Sequence, residues 1–201
     1  MPGRVEGTDM IFFIKKKDVL AHRWQDITYG RIVVSFRPTK DDSNRTRLTM
    51  VRDCIVYPRD CGTPTVDLLT VKLHQNITIS TKNAQYMTID IKNFYLNTPM
   101  GRFKYMRLKI SDIPADVVKH YNLEDKVAPD GWVYLEVHKG VYGLPQTGML
   151  AHKLLEKRLN KKVYVKAKLT PGFWSTSGAP SRLIFASITL ALNMSAKNML
   201  Y

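Results

Sequence analysis

Asp90 ends an apolar, strand-like segment within Tyr86 to Met100, YMTIDIKNFYLNTPM, and is the residue whose type and position most invite chemistry. Met87, Ile89 and Ile91 alternate with Thr88 and Asp90, the period of two of a strand, and Asn97-Thr98-Pro99 then supplies turn residues. An acid at that position is either a turn cap or a functional carboxylate, and the local pattern leaves both open. Lys15-Lys16-Lys17-Asp18 follows the apolar run Met10 to Ile14, so a buried strand delivers a basic cluster into a loop, where it can grip phosphate or lie solvated. Lys139 to Gly148, KGVYGLPQTG, places glycines, a proline and Gln146 ahead of a helix. Such a loop presents backbone amides and one amide side chain to a ligand.

The elements that must position these groups are legible in outline. Met10 to Ile14 reads as a strand, and Arg31 to Arg37, RIVVSFR, as a second one bracketed by arginines; together they are expected to form a basic hairpin. Pro38 to Arg47 is turn-rich, and Arg47 to Tyr57 contains a further strand of uncertain limits. Thr63-Pro64 opens a helix, Thr63 as cap and Pro64 in the first turn, with Val66, Leu69 and Leu73 on one face to pack beneath the Asp90 strand. Arg102 to Ile110 reads as a strand and Pro114 to Tyr121 as a short helix. Pro129-Asp130-Gly131 marks a turn before Trp132 to Val137, WVYLEV, which alternates as a strand does. Met149 to Asn160 is a helix with Leu150, Leu154, Leu155 and Leu159 as its apolar set and Lys153, Lys157 and Arg158 as basic positions.

The 201 residues suffice for one domain with a buried core, and no internal repeat or low-complexity linker divides them. Thirty-one lysines and arginines against 17 acids give a formal charge of +14, an excess that suits a polyanionic partner such as nucleic acid. Cys54 and Cys61, with His74, fit neither a disulfide framework nor a four-ligand zinc site, and both cysteines read as free thiols. No segment reaches the roughly 18 apolar residues of a membrane span, and Met1 to Asp9 lacks the apolar core of a signal peptide. The expectation is an intracellular, cytoplasmic or nuclear chain that is not secreted and has no membrane partner.

In their order along the chain these pieces resemble a reverse transcriptase of LTR retrotransposons, of the copia-like polyprotein group, over about Met10 to Trp174. Phe13-Ile14-Lys15-Lys16-Lys17-Asp18 resembles the entry to the fingers hairpin and Arg31 to Arg37 its return strand. Thr88-Ile89-Asp90-Ile91-Lys92-Asn93-Phe94-Tyr95 resembles the first palm motif, and Tyr142-Gly143-Leu144-Pro145-Gln146-Thr147-Gly148 the loop and helix start beside the incoming nucleotide. The resemblance implies an α+β fold: the fingers and partial palm of a right-hand polymerase, with a mixed or antiparallel sheet and packed helices. It implies nucleotidyl transfer by a two-metal mechanism in the parent enzyme, with Asp90 as catalytic residue and Mg²⁺ ligand. Lys16 and Arg31 then pair with the nucleotide triphosphate, Tyr95 stacks under its sugar, and Gln146 hydrogen-bonds it. Asn93 stands where close relatives carry an acid and offers its backbone N–H to a phosphate. The implied partners are RNA/DNA template-primer and deoxynucleoside triphosphates.

The family's second acidic motif, two adjacent aspartates in a hairpin, is expected near residues 186 to 190, but the chain reads Phe185-Ala186-Ser187-Ile188-Thr189-Leu190 and carries no carboxylate side chain after Glu156. One aspartate does not hold two hard cations, each of which wants several oxygen ligands. Ser187 to Leu200, shifted by one frame, is compatible with Asp-Asn-Phe-Gly-Val-Lys-Tyr-Val-Gly-Lys-Glu-His-Ala, the kind of sequence expected there. The chain is therefore expected to comprise a fingers/palm fragment, residues 10–175, and an out-of-frame tail, residues 176–201. The fragment is expected to be inactive alone and marginally stable, since loss of the catalytic hairpin leaves a sheet edge and apolar surface uncovered. The alternatives are a non-catalytic basic nucleic-acid-binding module and an unstable pseudogene product.

Overall fold

Trp132 to Lys139 alternates strictly: Val133, Leu135 and Val137 are buried among apolar neighbours, while Trp132, Tyr134, Glu136 and His138 take the other side, as the pleat of a strand requires. The computed structural model describes residues 9–39, 43–51, 61–176, 182–186 and 189–195. In chain order its regular elements are β1 (Ile11–Ile14), β2 (Ile27–Phe36), β3 (Asn44–Met50), α1 (Leu68–Ser80), β4 (Ala84–Asp90), β5 (Pro99–Lys109), α2 (Ala115–His120), β6 (Trp132–Lys139), α3 (Thr147–Asn160), β7 (Tyr164–Lys166), β8 (Phe173–Thr176), β9 (Arg182–Ala186) and β10 (Thr189–Ser195). The fold is mixed α+β with mostly antiparallel strands, and among the described residues no helix is long and apolar enough to cross a membrane. Cys54 lies outside the described residues.

The chain divides into two units, Met1–Cys61 with Tyr95–Leu150, and Gly62–Phe94 with Ala151–Tyr201. The first carries a five-stranded sheet in the order β1-β6-β5-β2-β3, in which β2 runs parallel to β5 and the other pairs are antiparallel. Met106 and Leu108 of β5 join Val133, Leu135 and Val137 of β6, Met50, Ile113 and Leu123 in its core. The expected hairpin between the first two strands does not form. Two strands separate β1 from β2, and β2 forms its hairpin with β3, because the apolar residues of β1 are satisfied by β6 rather than by the arginine-bracketed strand.

The second unit carries a sheet in the order β4-β10-β9-β8-β7, antiparallel throughout. Its core gathers Leu155 and Trp174 with Ile91, Phe94, Leu159 and Tyr164. Leu154, Leu155 and Leu159 of α3 turn inward and Lys153, Lys157 and Arg158 outward, as the sequence indicates. Three expectations are corrected. The helix begins at Leu68, capped by Asp67, whose carboxylate accepts the Thr70 N–H at 2.7 Å, and not at Thr63-Pro64. Leu69 and Leu73 are 66% and 52% exposed, while His74 is buried, because the His74 ring packs against Tyr86 at 5.9 Å and Phe173 at 6.5 Å and so sets the rotation of α1. The tail does not leave the Asp90 strand without a hairpin: β9 and β10 pair with each other, and β10 pairs with β4 along its whole length. The other edge of β4 lies at the end of the sheet order, and Tyr86, Met87 and Ile89 are exposed there, so part of the expected uncovered apolar surface is present.

Candidate nucleotide and nucleic-acid interface

Within the first unit the site is built on a backbone lock between β3 and the loop after β6. Met50 donates its N–H to the Tyr142 carbonyl at 2.8 Å, and Gly143, at φ +94°, lies so close that a Cβ there would sit 2.0 Å from the Met50 carbonyl oxygen. Only glycine takes both the conformation and the approach. Gly140 is as tight: a Cβ would meet the Tyr95 carbonyl at 2.5 Å, while its N–H reaches the Thr98 carbonyl at 2.8 Å. These approaches bring three side chains into line. The Arg47 guanidinium lies over the Tyr142 ring at 5.7 Å, and Tyr142 meets Tyr95 edge-on at 6.2 Å. Such a cation–π pair orients an arginine without neutralising it.

Gln146 stands at the foot of the same loop, 4% exposed, with its Oε1 buried and without a hydrogen-bond partner among the described residues. The Arg47 Nε is likewise buried and unpartnered among them. Thr147 anchors the helix start by donating its hydroxyl to the Val141 carbonyl at 3.3 Å. Burial raises the Tyr95 phenol above its ordinary pKa, and the neighbouring Tyr142 adds to the rise, so Tyr95 is a neutral donor at physiological pH. The arrangement presents one cation, two phenols and one amide, groups suited to a phosphorylated, ring-bearing ligand.

Lys16 and Arg31 are placed differently. Lys16 pairs with Asp130 at 3.2 Å and lies over Trp24 at 5.7 Å, so its charge is partly met within the unit. Ile14, Tyr134, Arg107 and Tyr29 form one row across the sheet, so Lys16 and Arg31 follow it at the same end, three strand spacings or roughly 14 Å apart. Arg31 is exposed, and its carbonyl accepts the Thr49 hydroxyl at 3.1 Å. The sequence reading missed Arg47 and Tyr142. The available signal was the alternation of Arg45 and Arg47 in NRTRLTM, the strand that actually returns from β2.

A second feature of this unit lies on the other face of its sheet, beside the smaller core of Val19, Tyr105, Ala128 and Tyr134. The Arg107 guanidinium sits over the rings of Tyr29 at 4.6 Å and Trp132 at 4.7 Å, Lys109 approaches Trp132 at 5.7 Å, and Arg107 also hydrogen-bonds the Tyr29 hydroxyl. Interleaved cations and rings are the composition of a surface that takes bases and phosphates together.

In the second unit Asp90 is the exposed last residue of β4, and Thr189 of β10 is its partner in register. Asn93 follows in a turn at φ 54°, exposed, with the Phe94 N–H closing onto the Ile91 carbonyl at 3.2 Å. Among the described residues no three His, Cys, Asp or Glu side chains converge, so the donor set does not fit a pair of Mg²⁺ ions. Ser187 and Ile188, where the reading expects the missing acids, lie outside the described residues. Set against known proteins, the chain matches no family model, no curated protein and no solved structure.

Proposed function

We propose that the chain is the fingers and partial palm of a reverse transcriptase of the LTR-retrotransposon kind, and that it binds nucleotide and nucleic-acid phosphates without transferring a nucleotidyl group. The observation that carries this reading is the chain of contacts Arg47, Tyr142, Tyr95, with a Gln146 Oε1 on the same loop as Tyr142 that is buried and without a hydrogen-bond partner among the described residues. Tyr95 ends the segment that resembles the first palm motif, Tyr142 and Gln146 belong to the one that resembles the nucleotide-side loop, and Arg47 lies on β3 outside the resembling segments; their chemistry together suits a nucleoside triphosphate. Arg47 takes over the role expected of Arg31, as the bidentate partner of a triphosphate. The partners are RNA/DNA template-primer and deoxynucleoside triphosphates, and the +14 charge supports a polyanion.

Silence in catalysis follows from the other unit. Asp90 alone supplies one carboxylate where in-line displacement between two cations needs several oxygen ligands, so no metal-dependent step is assigned to this chain. Primer extension on an RNA template with Mg²⁺ tests the reading. No incorporation is expected, together with salt-sensitive binding of a primer-template hybrid that Arg47→Ala weakens about tenfold, the loss of one charge-assisted contact. Incorporation abolished by Asp90→Asn would overturn the inactivity, and hybrid binding indifferent to salt would overturn the binding role.

A further inference from the structure

Asp26 of the first unit is a carboxylate shared among more cations than it can balance. Its Oδ2 accepts the Arg23 Nε at 3.0 Å and the Arg102 Nη2 at 2.9 Å. The parallel register of Ile27 with Tyr105 sets Asp26 beside Lys104, and Arg102 lies two residues back on the same strand. Arg23 is not a loose surface charge: it is 4% exposed, donates to the Phe103 carbonyl at 2.6 Å and lies over the Tyr105 ring at 4.7 Å. Three cations thus meet one acid in a partly desolvated cluster, a surplus of two positive charges.

We propose that Arg23, Arg102 and Lys104 around Asp26 form an oxyanion site that takes a phosphate group. A phosphate dianion matches the surplus of two, whereas a carboxylate leaves one charge unbalanced. Arg102, exposed and tied to Asp26 through Nη2, offers a guanidinium and Lys104 a point charge, while Arg23, whose Nε and Nη2 are taken by Asp26 and the Phe103 carbonyl, adds a fixed positive charge behind them. The excess of positive charge bears on the lysine. Burial holds the Lys104 ammonium below its ordinary pKa, and Arg102 and Arg23 push the same way against the help of Asp26. A bound dianion reverses that balance. The site shares no residue with the Arg47, Tyr142, Tyr95 line and does not rest on polymerase parentage.

The test is a titration of the full chain at low ionic strength, followed by amide and lysine side-chain NMR, with inorganic phosphate, with a short oligodeoxynucleotide lacking terminal phosphate, and with chloride at matched ionic strength. Saturable shifts confined to residues 23–26 and 102–104 are expected, absent with chloride. Arg102→Gln and Lys104→Gln should each weaken binding about tenfold. Shifts with inorganic phosphate support the proposal, whereas shifts with the oligonucleotide alone, whose phosphodiesters each carry one charge, overturn the match to a dianion. Shifts that chloride reproduces, or that survive in the Arg102→Gln/Lys104→Gln double variant, overturn the proposal.

Discussion

Thr189 stands directly opposite Asp90 in the antiparallel β4–β10 pair. Two acids at facing positions of an antiparallel pair repel. Thr189→Asp should therefore juxtapose two like charges and lower stability by about 0.2–1 kcal/mol in chelator. Mn²⁺ or Mg²⁺ should then raise the melting temperature of the variant and leave the unsubstituted chain unmoved. Equal metal response in both, read by thermal unfolding, would mean that cations bind elsewhere.

Leu73 separates the two accounts of α1. If the stripe Leu69–Leu73 faced a core, Leu73→Lys would cost several kcal/mol; with Leu73 52% exposed, the expected change is within about 0.5 kcal/mol. Urea unfolding decides between them. A large loss would restore the packing face read from periodicity.

The contrast between α1 and β6 explains how much was legible. In Trp132 to Val137 the period of two puts Val133, Leu135 and Val137 on one face, and the leucines of α3 mark their inward face just as plainly. In α1 the residues 70, 74 and 78 repeat with the same spacing as 69, 73 and 77, so two faces compete. The choice falls to His74, through rings contributed by Tyr86 and Phe173, which no local pattern reveals. Strand pairing fails for the same reason. β1 and β2 are neighbours in sequence, yet their partners β6 and β3 are chosen by long-range burial. Of the site, Tyr95 and Gln146 were legible from order along the chain, whereas Arg47 needed the β2–β3 pairing to be known.

His74 makes stability depend on pH. Burial among Tyr86 and Phe173 holds its imidazole below the ordinary value of 6.5, so the folded chain prefers it neutral while the unfolded chain protonates near that value. The contribution is complete above pH 6.5 and is lost as pH falls from there through the lower folded pKa. His74→Phe should flatten this part of the profile, with a folded state no weaker at pH 7. An unchanged acid limb in thermal melts of the variant would assign the dependence to other groups.

Gly143 should tolerate no side chain. Gly143→Ala places a Cβ at φ +94°, against the Met50 carbonyl, and should cost about 2–3 kcal/mol. Because the lock holds Arg47 over Tyr142, the variant should also lose triphosphate affinity beyond what its stability explains. Gly131→Ala is the control: it too has positive φ, at 78°, but a Cβ there meets nothing within 4 Å. It should be destabilised less and retain ligand binding.

Gln146→Leu distinguishes a ligand-binding amide from a structural one. A buried acceptor without a partner costs about 1–3 kcal/mol, and leucine fills a similar volume without that penalty. Since the Gln146 Oε1 is unpartnered among the described residues, the variant should melt several degrees higher in the absence of ligand. If the amide is retained for a nucleotide, the same change should weaken deoxynucleoside triphosphate binding about tenfold in metal-free calorimetry. The two signs oppose each other, and that opposition is the diagnostic: stability rises while affinity falls. A variant that melts lower and binds as before would make Gln146 part of the helix start, held there by its own backbone bond to Leu150 at 3.0 Å, and would remove the amide from the nucleotide site.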